Sequence, residues 1–189
     1  VLLGHLTALI WVLILREISQ KKETPNEILF LLITSSCLFL GAGSLIATPD
    51  VPLNFFWAAS LLLTLKLLNT KNESYAWLLG ATLGLGFLSK YHIVLLPLSL
   101  LVGVLFSRQV TLLRLRWILQ IFIAGLIASL PVLIWNYQND WISFKFQLDH
   151  GLQSDSKDPR WILEYLLGQI FFIGPISLYL FLKERTQDS

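Results

Sequence analysis

What most constrains this chain is that long apolar runs follow one another with little polar sequence between them. Val1–Leu15, Ile28–Ala47, Pro52–Leu68, Tyr75–Ser89, His92–Phe106, Ile118–Trp135 and Trp161–Leu182 each approach the roughly 20 residues that cross a hydrocarbon layer at about 1.5 Å per residue. Of its residues 55% are hydrophobic and 14% charged, with a mean hydropathy of +0.68, against about 45–50% and about 25% in soluble domains. The expected fold is therefore all-α: a polytopic transmembrane helical bundle of about seven spans, the first truncated. It forms a single domain over residues 1–189, with an outside loop at 136–160.

The basic residues orient the bundle. If Arg16–Glu27 lies inside, strict alternation puts Lys66, Lys71, Arg108, Arg114, Arg116, Lys183 and Arg185 on the same side. The other side receives Lys90, Lys145, Lys157 and Arg160, together with Asp50, Asp140, Asp149, Asp155 and Asp158. Tyr75–Phe106 also reads as one long helix kinked near Pro97, but that would reverse everything after it and bring the acidic loop inside. Charge favours two crossings broken at Ser89-Lys90-Tyr91. The small net charge of +2, spread over short loops, argues against a nucleic-acid partner. The lone Cys37 excludes an intrachain disulfide and reads as a small buried hydrophobe. A chain without Met that opens in an apolar stretch is expected to be a piece lacking its natural N-terminus, and Val1–Leu15 lacks the basic region and cleavage site of a signal peptide.

Gly80, Gly84 and Gly86 give the fourth span a smooth face for close helix packing. Asn72-Glu73-Ser74 fits a glycosylation acceptor but lies in an inside loop, so it reads as a chance match.

Polar groups at membrane depth are costly, so each is a candidate for function. In Thr48-Pro49-Asp50-Val51-Pro52 two prolines restrict a turn that carries an acid. Asp50 either N-caps the helix starting at Pro52 or orients a polar substrate. In Ser89-Lys90-Tyr91-His92 the lysine either snorkels to the interface or, with a hydroxyl and an imidazole beside it, binds a phosphate. Asn136, Asn139, Asp140, Trp141, Lys145, Gln147, Asp149 and His150-Gly151 interleave polar groups with aromatics, which suits a sugar and equally an ordinary headgroup-level loop. His150 is a candidate phosphate contact or proton carrier. Glu164 reads as a boundary residue at i, i+4 spacing from Arg160. No metal-site spacing occurs, and no cofactor is indicated, although a divalent metal stays open.

In order along the chain, Ala47-Thr48-Pro49-Asp50-Val51-Pro52-Leu53 entering Phe55-Phe56-Trp57, Gly80–Gly86 leading to Leu88-Ser89-Lys90-Tyr91, and Pro131-Val132-Leu133-Ile134-Trp135-Asn136 are followed by Trp141-Ile142-Ser143-Phe144 through His150-Gly151. This set resembles the bacterial C-type membrane glycosyltransferases, relatives of the protein O-mannosyltransferases and of the lipid A aminoarabinose transferase. The resemblance implies an inverting transfer of a sugar from a polyprenyl-phosphate donor to a lipid, glycan or protein acceptor, at the outer face of the bacterial cytoplasmic membrane. It implies that the general base sits in a first outer loop upstream of this chain, that Asp50 is an orienting acid, and that Lys90 and His150 lie near the donor phosphate. Tyr91, His92 and Asn136 join them as candidate substrate-binding residues. Competing readings are a multi-pass transporter or flippase, whose broken helices also carry Gly and Pro, and a non-catalytic membrane subunit.

Overall fold

A computed structural model describes residues 2–19, 48–106, 114–152 and 160–173 of the chain. The expected span Ile28–Ala47 with Cys37, the flanking Lys21, Lys22 and Arg108, and the chain beyond Ile173 lie outside the described residues. Every regular element among the described residues is helical: α1 (Leu2–Ser19), α2 (Asp50–Thr70), α3 (Ser74–Ser89), a 3-10 turn (Tyr91–Val94), α4 (Leu95–Phe106), α5 (Leu115–Gln138), α6 (Ile142–Leu152) and α7 (Arg160–Ile173). Three of these, α1, α2 and α5, are long and apolar enough to cross a membrane, and α3 and Tyr91–Phe106 are shorter apolar helices. The chain is a polytopic helical membrane protein. The 21 residues of α2 span about 31 Å, the thickness of a hydrocarbon core.

The described chain divides into two units, and α5 passes from one to the other after Leu133. In the first, α2 and α3 form an antiparallel hairpin around the turn Lys71–Glu73. Lys71 ends α2 in the left-handed conformation (φ 58°), its N–H bonded to the Leu67 carbonyl, the usual way a helix stops when the next must reverse. Asn72, part of the apparent glycosylation acceptor, serves the turn itself, because its Oδ1 accepts the Ser74 N–H at 3.0 Å and starts α3. Midway along the hairpin the fully buried Ser60 shares a hydrogen bond with Thr82. Such hydroxyl pairs join helices where apolar burial supplies no drive.

The glycines do what their spacing suggested. A Cβ at Gly80 would collide with the Ile121 carbonyl, and one at Gly84 with that of Gly125, with the Ala124 and Ala128 methyls next nearest. The backbones of α3 and α5 therefore touch. Trp117 packs beside this seam with Leu67, Ala76 and Leu79. At the same end Glu17 of α1 meets Lys66 (3.8 Å) and Asn69 (2.8 Å) of α2. Since both contacts join C-terminal turns, α1 and α2 run in one direction.

One sequence expectation needs correcting. The helix expected over His92–Phe106 begins only at Leu95, after a 3-10 turn. Within the stretch expected as an outside loop, 136–160, Asn136–Gln138 complete α5 and Ile142–Leu152 form α6. Polar composition concealed α6, because residues such as Lys145 and Gln147 favour helix as readily as loop.

Candidate functional site

The first candidate segment is built by its prolines. Pro49 has helical angles (φ −60°, ψ −16°) and precedes α2 without a side-chain cap. The Thr48 carbonyl accepts the Val51 N–H and the Pro49 carbonyl that of Leu53, so the ladder closes although Pro52 has no N–H to give. Asp50 is the first residue of α2, and its carboxylate caps nothing. The capping alternative is thereby corrected: Pro49 holds the cap position, and Asp50 is already the first residue inside the helix.

Its carboxylate goes to Lys90 instead. Lys90 Nζ donates to Asp50 Oδ1 at 2.6 Å, with the side chains 39% and 35% exposed. Lys90 is the extended residue (φ −157°, ψ 131°) that ends α3, its N–H bonded to the Gly86 carbonyl. The adjacent Ser89 Oγ donates to the Pro49 carbonyl at 2.8 Å, a second tie between the same two segments that sequence reasoning missed. Each charge suits its helix end: an anion in the first turn of α2, a cation just past the C-terminus of α3. Antiparallel packing brings those ends together, so two motifs 40 residues apart become one ion pair.

The turn after Lys90 is seated from below. Ile93, 1% exposed, lies where a Cβ on Gly86 would come within 2.9 Å of its Cγ1 and 3.1 Å of the Phe56 Cβ. Gly86 thus makes room for the side chain that anchors the break. Tyr91 packs its ring on Phe87 at 4.8 Å, and His92 is exposed.

Asn136 and His150 belong to the second unit. Asn136 is fully buried; its Oδ1 accepts from Ser143 Oγ and its carbonyl from the N–H groups of Asn139 and Trp141. It organises the sharp turn in which Asp140 and Trp141 both take positive φ (52° and 58°). Trp141 stacks on Phe144 at 5.7 Å, and Tyr137 meets it edge-on. The backbone at His150 is helical, within α6. Glu164 is exposed on α7. Among the described residues no three His, Cys, Asp or Glu side chains gather where they would hold a metal ion.

No curated protein matches the chain, and no solved structure does. The profile of one family does match, over residues 1–135, a stretch that includes the Asp50 turn, the glycine seam and the Lys90 break and stops just short of Asn136. Covering well over half of the sequence, that match shows that the chain belongs to the dolichyl-phosphate-mannose-protein mannosyltransferase family, glycosyltransferases that draw on a lipid-phosphate sugar donor.

Proposed function

We propose that the protein of which this chain is part transfers a sugar, with inversion at the anomeric carbon, from a polyprenyl-phosphate donor to a lipid, glycan or protein acceptor at the outer face of the bacterial cytoplasmic membrane. The observation that carries the reading is the ion pair of Lys90 with Asp50 at the end of the α2–α3 hairpin. A donor anchored by its lipid presents its phosphate at headgroup level, and a cation at a helix end meets it there. A translocation path would instead need its polar groups near mid-helix.

In this mechanism a carboxylate from an upstream outer loop takes the proton of the acceptor hydroxyl. The freed oxygen attacks the anomeric carbon, the bond from that carbon to the donor phosphate oxygen breaks, and the lipid phosphate leaves with the electron pair. Lys90 stabilises the charge that grows on the phosphate. Asp50 holds the ammonium in place, and phosphate leaves readily enough to need no strong general acid. Tyr91 and His92 flank the donor.

The test uses membranes carrying the full-length protein, supplied with radiolabelled polyprenyl-phosphate sugars. Wild type should label an endogenous acceptor, and Lys90→Ala should need far more donor for the same rate. No transfer from any donor, or an unchanged donor requirement in Lys90→Ala, would overturn the reading.

A further inference from the structure

At the other end of the hairpin the charges of the described residues do not balance. The three carboxylates described in the first unit are all engaged: Asp50 with Lys90, Glu17 with Lys66, and Glu73 with Arg116 at 2.9 Å. Glu73 also accepts from Gln120 at 3.3 Å. Lys71 and Arg114 are exposed, and among the described residues neither meets a carboxylate. Both instead lie over one ring, that of Trp117, with Lys71 Nζ 5.9 Å and the Arg114 guanidinium carbon 4.6 Å from its centroid. Two cations are thus gathered at one ring, no further apart than the sum of those distances. The α5 dipole opposes Arg114, because the first turn of α5 contains no acid.

Trp117 is a fixed platform, 4% exposed and wedged among Leu67, Ala76 and Leu79. Directly after it Ile118, Leu119, Phe122 and Ile123 are all substantially exposed, the surface that a spanning helix turns to acyl chains. The two cations therefore stand where the hydrocarbon ends and headgroup phosphates begin.

The geometry points to a binding site for the phosphate of an anionic phospholipid, formed by Lys71 and Arg114 over Trp117 in the leaflet opposite the Asp50–Lys90 pair. The phosphate supplies the anion that neither cation finds among the described residues, and the acyl chains lie along the exposed face of α5. Cation–π contact holds both side chains ready, so little ordering is needed on binding.

The experiment titrates the detergent-solubilised full-length protein with phosphatidylglycerol and reads the bound fraction by native mass spectrometry. A cation near an anionic lipid surface is worth roughly fivefold in affinity, so Lys71→Asn with Arg114→Gln should weaken binding roughly thirtyfold. Asparagine tolerates the left-handed conformation at position 71, which guards against misfolding. Lys71→Arg with Arg114→Lys keeps both charges and should retain the lipid, whereas phosphatidylcholine should bind weakly to all forms. Undiminished phosphatidylglycerol binding by the neutral pair overturns the site. So does an equal loss when Lys145→Gln and Arg160→Gln remove the same charge elsewhere. Displacement of the lipid by inorganic phosphate at equal concentration would reassign the site to a free anion.

Discussion

If Asp50 acts by positioning Lys90, its substitution should matter only while Lys90 is present. The pair is short, at 2.6 Å, but its side chains are 39% and 35% exposed. Solvent therefore screens it, and it belongs near the upper end of the 0.2–1 kcal/mol measured for exposed pairs. Asp50→Asn should accordingly cost about 1 kcal/mol, about fivefold in kcat/KM for the lipid donor. Lys90→Ala removes a charged contact to the phosphate, about 1.5–3 kcal/mol, or roughly ten- to 150-fold. Adding Asp50→Asn to Lys90→Ala should change almost nothing, so the coupling energy should equal the whole effect of the single Asp50 variant. Donor-dependent transfer in membranes, normalised to inserted protein, gives all four values. Equal penalties for Asp50→Asn with and without Lys90 would refute the positioning argument, because Asp50 would then act on another group. Wild-type transfer by Asp50→Asn would reduce the ion pair to a clasp between helices.

Gly80→Ala drives a methyl into the Ile121 carbonyl, whereas a Cβ at Gly103 meets nothing within 4 Å. Thermal unfolding in detergent should show Gly80→Ala destabilised by about 1–3 kcal/mol and Gly103→Ala unchanged. Glu73→Gln releases Arg116 and weakens the bond from Gln120. Because the Arg116 side chain is 75% exposed, the loss of stability in the same assay should stay under about 1 kcal/mol. Sidedness is read in a background of Cys37→Ala. Cysteine introduced at Asn139 should react with a membrane-impermeant maleimide on intact cells, and cysteine at Asn72 only after permeabilisation. Labelling of both positions on intact cells would refute the alternation, and labelling of position 72 alone would invert the proposed topology.

The membrane fold was legible because hydropathy, unlike packing, is written residue by residue. Gly80 and Gly84 were equally legible, since small residues one helical turn apart have few other uses in an apolar helix. The break at Lys90 followed from charge alternation, and α3 does end at Ser89. What sequence could not supply was the partner of each charge. Nothing local to Asp50 names Lys90; only the antiparallel hairpin joins them, and its register depends on the left-handed stop at Lys71. The same blindness hid α6 within the expected outside loop, because an eleven-residue helix held by a turn around a buried Asn136 shows no apolar stripe. The tie from Ser89 to Pro49 escaped notice for a related reason: its acceptor is a backbone carbonyl, and every residue has one of those.

The neutrality of the Asp50–Lys90 pair bears on selectivity. An unpaired ammonium at headgroup depth would attract every anionic phospholipid around it, and not only a lipid-phosphate sugar, by about 1 kcal/mol of charge interaction. A carboxylate 2.6 Å away cancels that attraction at longer range, where screening leaves only net charge to be felt. A ligand must then displace Asp50 or share Lys90 with it, and a donor that also binds through its sugar can offset the loss where a bare headgroup cannot. Removing the carboxylate should therefore expose Lys90 to the bulk lipid. In vesicles with rising phosphatidylglycerol, wild-type transfer should hold steady, while Asp50→Asn should show a donor KM that climbs several-fold with the anionic fraction. An Asp50→Asn enzyme as indifferent to phosphatidylglycerol as wild type would mean that Lys90 is shielded by its surroundings and that Asp50 contributes position alone.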